Sequence, residues 1–158
     1  MKYSEIPPVE LRTSVVCIIS SSPEEDVSEG GGHITFSIPG NDKLKLGART
    51  PGCCTSEEMK EFPVGEYIRL DLCLIGEFYM TKEEGTTYIA HDDRPFIVYS
   101  GISRVCCIVH EDVYLEAGGL IFEMENDLKM SEIPKVGDYI RFEGVFFDAF
   151  VYDENDDY

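Results

Sequence analysis

Hydrophobic residues recur at every second position in one stretch of the chain. Ile68, Leu70, Leu72, Leu74 and Phe78 fall on one face, and Tyr67, Arg69, Asp71 and Glu77 on the other. A period of two predicts a strand with one buried face. Ile140, Phe142, Phe146 and Phe150 repeat the pattern, and on strict alternation they share an inward face. Both stretches outrun the usual strand length of roughly 3–10 residues, so each strand must bend. Gly76 and Gly144 are the expected bend points, because a position without Cβ admits a bulge or a close backbone approach.

The two stretches belong to an internal repeat. Val64-Gly65-Glu66-Tyr67-Ile68-Arg69-Leu70-Asp71 returns 72 residues later as Val136-Gly137-Asp138-Tyr139-Ile140-Arg141-Phe142-Glu143, identical at five of eight positions. Weaker echoes precede each copy. Val15–Ile19 resembles Val105–Val109, Ile34–Ile38 resembles Leu120–Met124, and Asn41–Leu46 resembles Asn126–Met130. With the motif itself, four matching segments in one order indicate two related units. Thr55-Ser56-Glu57-Glu58 has capping-box spacing before Met59–Phe62 and Pro63, which predicts one short helix near 56–62.

The expected fold is therefore all-β: two related small β-barrel or sandwich units, OB-like at most, from an internal duplication, with one short helix. The expected division is a first β unit at 1–80, a connector hairpin at 81–101, a second unit at 102–152 and an acidic tip at 153–158. Units this small gain by packing against each other. The repeated Arg69/Asp71 and Arg141/Glu143 pairs read as exposed same-face ion pairs, part of the architecture.

Composition narrows the function. The 158 residues carry 31 acidic and 13 basic side chains, a formal charge of −18. A generic nucleic-acid binder is excluded, since a phosphate backbone requires a basic surface to displace its counterions. Apolar residues make up 43% of the chain, enough for a packed core, so the charge does not imply disorder. No apolar run approaches the ~20 residues of a membrane-spanning helix, and Glu5, Pro7, Pro8 and Glu10 interrupt any signal-peptide pattern. Cys17, Cys53, Cys54, Cys73, Cys106 and Cys107 include two adjacent pairs, which rarely bridge. Several lie in apolar strand-like runs, so reduced thiols and a cytoplasmic location are expected.

Catalytic chemistry finds little support. His91-Asp92-Asp93 and His110-Glu111-Asp112 offer metal or acid–base groups, but adjacent strand residues point to opposite faces and cannot converge without an irregular backbone. They read as acidic turns. Cys53-Cys54 lacks the two-residue gap of a zinc grip, although Cys54 precedes a helix start that would favour a thiolate. Gly30-Gly31-Gly32 has no following Lys-Ser/Thr and leads into a strand, so it reads as a hairpin tip and not a phosphate loop. No catalytic residue, metal or cofactor is expected.

The acids are uneven. Residues 1–80 hold 13 acids and 7 bases, net −6, whereas 81–158 hold 18 acids and 6 bases, net −12. The expected partner-binding residues are Glu111, Asp112, Glu116, Asp148, Asp153, Glu154, Asp156, Asp157 and Tyr158. Tyr67, Tyr139, Phe147 and Tyr152 alternate away from the assigned core face and are candidate exposed aromatics. The leading expectation is an acidic protein that neutralises a basic partner, such as an immunity protein acting on a toxin or nuclease, by electrostatic steering. The alternative is an OB-like replication or recombination accessory with a docking tail. Asp153-Glu154-Asn155-Asp156-Asp157-Tyr158 resembles the acidic, aromatic-ended tails of single-stranded-DNA-binding proteins, and that resemblance implies a protein-docking tail.

Overall fold

The computed structural model describes residues 8–23, 31–53, 55–91, 98–124 and 133–156. These residues are mostly strand: β1 (Ser14–Ser22), β2 (Gly31–Ile38), β3 (Asn41–Pro51), β4 (Tyr67–Thr81), β5 (Tyr88–His91), β6 (Tyr99–Val109), β7 (Asp112–Ala117), β8 (Leu120–Met124) and β9 (Tyr139–Val151). The all-β expectation holds. Instead of forming separate sheets, the strands join in one nine-stranded sheet, ordered β1-β2-β3-β9-β4-β8-β7-β6-β5, with β1–β4 and β6–β9 as further pairings. Of the connector, Tyr88–His91 form β5 and Tyr99–Gly101 begin β6. Among the described residues no helix is long and apolar enough to cross a membrane.

The two alternating stretches, β4 and β9, lie antiparallel side by side along most of their length, from Leu70 opposite Val151 to Thr81 opposite Tyr139. Around them the pairing follows a simple exchange. β1 pairs with β4, and β6 with β9. The hairpins β1–β2–β3 and β6–β7–β8 are antiparallel throughout. Each then closes in parallel on the long strand of the other half, β3 on β9 and β8 on β4. Two circuits of pairing result, β1-β2-β3-β9-β4-β1 and β6-β7-β8-β4-β9-β6, and both contain β4 and β9.

The entry to each long strand is the same down to single bonds. The N–H of Ile18 donates to the Glu66 carbonyl at 3.0 Å, and its carbonyl accepts from the Gly65 N–H at 2.8 Å. Val105 does the same with Asp138 at 2.8 Å and Gly137 at 2.9 Å. Ile18, not Val15, thus stands where Val105 stands. Ile34–Ile38 lie in β2 and Leu120–Met124 in β8, so those two echoes occupy different stations of the circuits. The echo at residues 126–130 lies outside the described residues.

Gly76 and Gly144 face each other at one irregularity in the β4–β9 ladder, where the register shifts between Ile75 and Glu77. A Cβ on Gly76 would meet the Val145 side chain and lie 2.8 Å from the Val145 Cα, and Gly76 has φ +155°. Only glycine fits there. The extra residue is on β9, and it reverses the phase of alternation. Ile140 and Phe142 point inward, and beyond the bulge Val145, Phe147 and Ala149 do so. The expectation that Phe146 and Phe150 face the core while Phe147 faces solvent is overturned. Phe147 is fully buried and Phe150 is 45% exposed.

One continuous core holds both halves, from Val16, Ile18, Phe36 and Leu46 to Phe122, Phe142 and Phe147. Phe122 meets Phe142 and Phe147 edge-on at 5.9 and 5.5 Å between ring centres, a favoured aromatic geometry. Tyr99, wholly buried on β6, accepts the Gly47 N–H of β3 at 2.6 Å. The expected helix is reduced to a 3₁₀ turn, Glu58–Glu61. Its capping box forms, with Glu58 N–H donating to Thr55 Oγ1 and Thr55 N–H to Glu58 Oε1, each at 3.2 Å. Pro63 leaves too little chain for a second turn, and buried Met59 and Phe62 anchor the segment instead.

Candidate functional site

The acids expected to meet a partner separate into three groups. The first is committed internally. Asp148 holds Arg49 in a two-pronged contact, Nε to Oδ1 at 2.8 Å and Nη2 to Oδ2 at 3.1 Å. Its side chain is 11% exposed against 46% for Arg49, whose guanidinium also lies 4.4 Å from the Phe146 ring centre. These two residues are neighbours where β3 closes on β9. Glu116, half-buried on β7, accepts from Thr87 Oγ1 at 2.9 Å and from the Gly119 N–H at 2.9 Å. Glu116 thereby ties the chain before β5 to the β7–β8 turn.

The second group is the β6–β7 turn, where Glu111 is exposed and Asp112, half-buried, opens β7. Its preceding residue, His110, has φ 58°, the left-handed conformation that reverses the chain so tightly. The third follows β9. Tyr152 donates its N–H to the Arg69 carbonyl at 3.0 Å, after which Asp153 and Glu154 are exposed. Asp153 caps a 3₁₀ turn, Glu154–Asp156, by accepting the Asn155 N–H at 2.9 Å. Asp157 and Tyr158 lie outside the described residues.

Register keeps the second and third groups apart. Val113, next to Asp112, pairs with Met124, which pairs with Leu74, whereas Val151, just before the tip, pairs with Leu70. The structure does not bring all the nominated acids onto one spot.

Sequence reading missed a different acidic feature. Glu77 on β4 lies directly opposite Glu143 on β9, and both are exposed. Like charges across a ladder repel. The neighbouring groups respond to this charge. Tyr79 donates its hydroxyl to Glu77 at 2.6 Å, Arg141 approaches Glu143 at 3.5 Å, and the Arg141 guanidinium sits 5.2 Å from the Tyr79 ring centre. The hydrogen bond to Glu77, with the charges of Glu77 and Glu143, holds the Tyr79 phenol above its ordinary value. Glu77 was legible as outward-facing, but its partner across the ladder was not.

Of the nominated aromatics, Tyr67 is 65% exposed, Tyr139 and Tyr152 are half-buried, and Phe147 is in the core. Arg141 and Glu143 form the anticipated same-strand pair, and Arg69 donates to Thr13 Oγ1 at 2.8 Å. The His91 ring rests against Tyr99, 4.9 Å between centres, with Nε2 3.2 Å from the Lys45 carbonyl. Asp92 and Asp93 lie outside the described residues, as does Cys54. Among the described residues no group of three or more His, Cys, Asp or Glu side chains is arranged to hold a metal ion. Cys17, Cys106 and Cys107 are free thiols. No protein-family model matches the chain, and no curated protein or solved structure shows significant similarity to it.

Proposed function

We propose that this protein binds a basic protein partner through its acidic surface, as an immunity protein or inhibitor covers a toxin, nuclease or other nucleic-acid enzyme. The observation that carries this reading is the Glu77–Glu143 pair. Two exposed carboxylates face each other on adjacent strands, flanked by Tyr79, in a chain of charge −18. Such an arrangement costs the free protein up to ~1 kcal/mol, part of which Arg141 beside Glu143 already offsets, and a cation from a partner facing Glu77 relieves the rest. An aromatic beside acids supplies contact area, while the wider field steers encounter. The exposed acids at Glu111, Asp153 and Glu154 extend that field, and Asp112 and Glu116 contribute charge from less exposed positions, while the charge of Asp148 is neutralised by Arg49.

The test uses the protein that co-purifies at low salt from the native cell. The association rate of that complex is expected to fall steeply between low and physiological ionic strength, and to fall again in Glu77→Gln/Glu143→Gln. An association rate indifferent to salt overturns the reading.

A second reading rests on the pairing circuits. Each returns on itself through five strands, with the third strand parallel to a long strand, which supports an OB-like unit whose fifth strand comes from the other half. The shared bond pattern at Ile18 and Val105 supports duplication as its origin. On this reading the protein is a replication or recombination accessory, and Asp153–Tyr158 is its docking tail. A gel shift with single-stranded DNA at low salt tests it, and binding to DNA that survives deletion of 153–158 while partner recruitment is lost would favour it over the inhibitor.

A further inference from the structure

Cys106 and Cys107 are consecutive on β6, and on a regular strand their side chains would point to opposite faces. The β6–β7 ladder is irregular at this point. Val105 pairs with Leu115 and Cys107 with Tyr114, leaving Cys106 as the extra residue of a bulge. The packing records the result. Val105 lies in the main core, and Ile108 packs against it. Cys106, Cys107, Val109 and Tyr114 form a separate small cluster. Two adjacent thiols thus share one side of the sheet.

They also share one acceptor. The Leu11 carbonyl lies 3.4 Å from Cys106 Sγ and 3.3 Å from Cys107 Sγ, and Cys106 additionally reaches the Tyr114 carbonyl at 3.3 Å. Cys106 is half-buried and open to solvent on one side, whereas Cys107 is 5% exposed. The neighbouring Cys106 thiol and the charge of Arg12 hold the Cys107 thiol below its ordinary value, against burial, which raises it. The scaffold does not require sulfur here. The matching bulge on β1, between Ile18 and Ser20, carries Ile19 and Ser20.

We propose that Cys106 and Cys107 form a vicinal dithiol site that takes a trivalent thiophilic centre, of the class of a monosubstituted arsenic(III), through two sulfur bonds. Thiolates are soft ligands and select soft centres. Among the described residues no third metal ligand joins the two thiols, and two alone do not satisfy the tetrahedral demand of zinc. With an arsenoxide the reaction balances without electron transfer. Cys106 sulfur, the more exposed of the two, bonds to arsenic first, and Cys107 sulfur then bonds to the same atom. Both arsenic–oxygen bonds break, and the two thiol protons leave with the oxygen as water. Once the first bond forms the second is intramolecular, which gives chelation its advantage over two separate thiols.

The test uses the reduced full chain and phenylarsine oxide. One phenylarsine per folded chain is expected by intact mass, removable by 2,3-dimercaptopropanol but not by excess 2-mercaptoethanol. Peptide mapping after alkylation should find Cys106 and Cys107 protected and the other cysteines labelled. Cys106→Ser and Cys107→Ser should each weaken binding by about 100-fold or more, and Cys53→Ser/Cys54→Ser should leave it unchanged. An adduct that disappears in Cys53→Ser/Cys54→Ser but persists in Cys107→Ser overturns the proposal. If a serine variant does not fold, protection in the wild-type chain decides the matter: labelling of Cys106 and Cys107 in the presence of the adduct overturns the proposal on its own.

Discussion

At the scale of residues, two side chains bind the halves together by specific bonds. Tyr99 is buried with its hydroxyl accepting the Gly47 N–H. Tyr99→Phe leaves that donor without its partner and is expected to cost about 1–3 kcal/mol in urea unfolding. Burial raises the Tyr99 phenol above its ordinary value of 10.0. A raised value means the folded state keeps its proton where the unfolded chain loses it. The stabilisation is therefore complete below about pH 10 and is lost as pH rises beyond it. Unfolding followed between pH 9 and 11 should show a falling stability whose slope is shallower in Tyr99→Phe. Asp148 is the second tie. Asp148→Asn removes the charge that Arg49 grips with two nitrogens, and because Arg49 remains half in water the expected loss is about 1–2 kcal/mol. A stability unchanged within error would show that pair to be dispensable.

At the scale of elements, the β4–β9 ladder is decided by its bulge. Gly76→Ala puts a methyl group against Val145 at a φ that disfavours side chains, and is expected to cost about 2 kcal/mol or more. Gly85→Ala is the control, since its φ of +144° is also unfavourable but no atom lies within 4 Å of its Cβ. Equal losses in the two variants would mean that the close approach of β4 and β9 contributes nothing. The glycines were legible as bend points because an alternation too long for one straight strand must break somewhere, and a residue without a side chain breaks at least cost. Which side of the bulge carries the extra residue was not legible. It lies on β9, and that single residue moves Phe147 into the core and Phe146 and Phe150 out of it. The capping box at Thr55 and Glu58 was legible because it is a bond between residues three apart, needing nothing from the rest of the chain.

At the scale of the molecule, neither half can complete its circuit alone. β3 closes on β9 and β8 closes on β4, so each half would be left with unpaired strand edges where the other half belongs. A fragment of residues 1–98 and one of residues 99–158 are each expected to lack stable structure by circular dichroism, and to regain it when mixed. The intact chain should unfold in one transition by heat and by denaturant, because one core serves both halves. A fragment that folds cooperatively by itself would contradict this.

What the sequence determined by itself is what depends on near neighbours. Strand character follows from the alternation of apolar and polar residues, and the doubled motif at Val64 and Val136 marks two strands that do begin alike. The glycines at bends and the capped turn belong to the same class, as does the surplus of acid. Tertiary structure decided which strand lies beside which, and therefore which residues face each other. Glu77 opposite Glu143, Arg49 gripped by Asp148, and Cys106 beside Cys107 on one side of β6 all depend on ladder partners or bulges. Alternation is a property of one strand, whereas a bulge and a register belong to a pair. Residues far apart in the chain must meet before either exists.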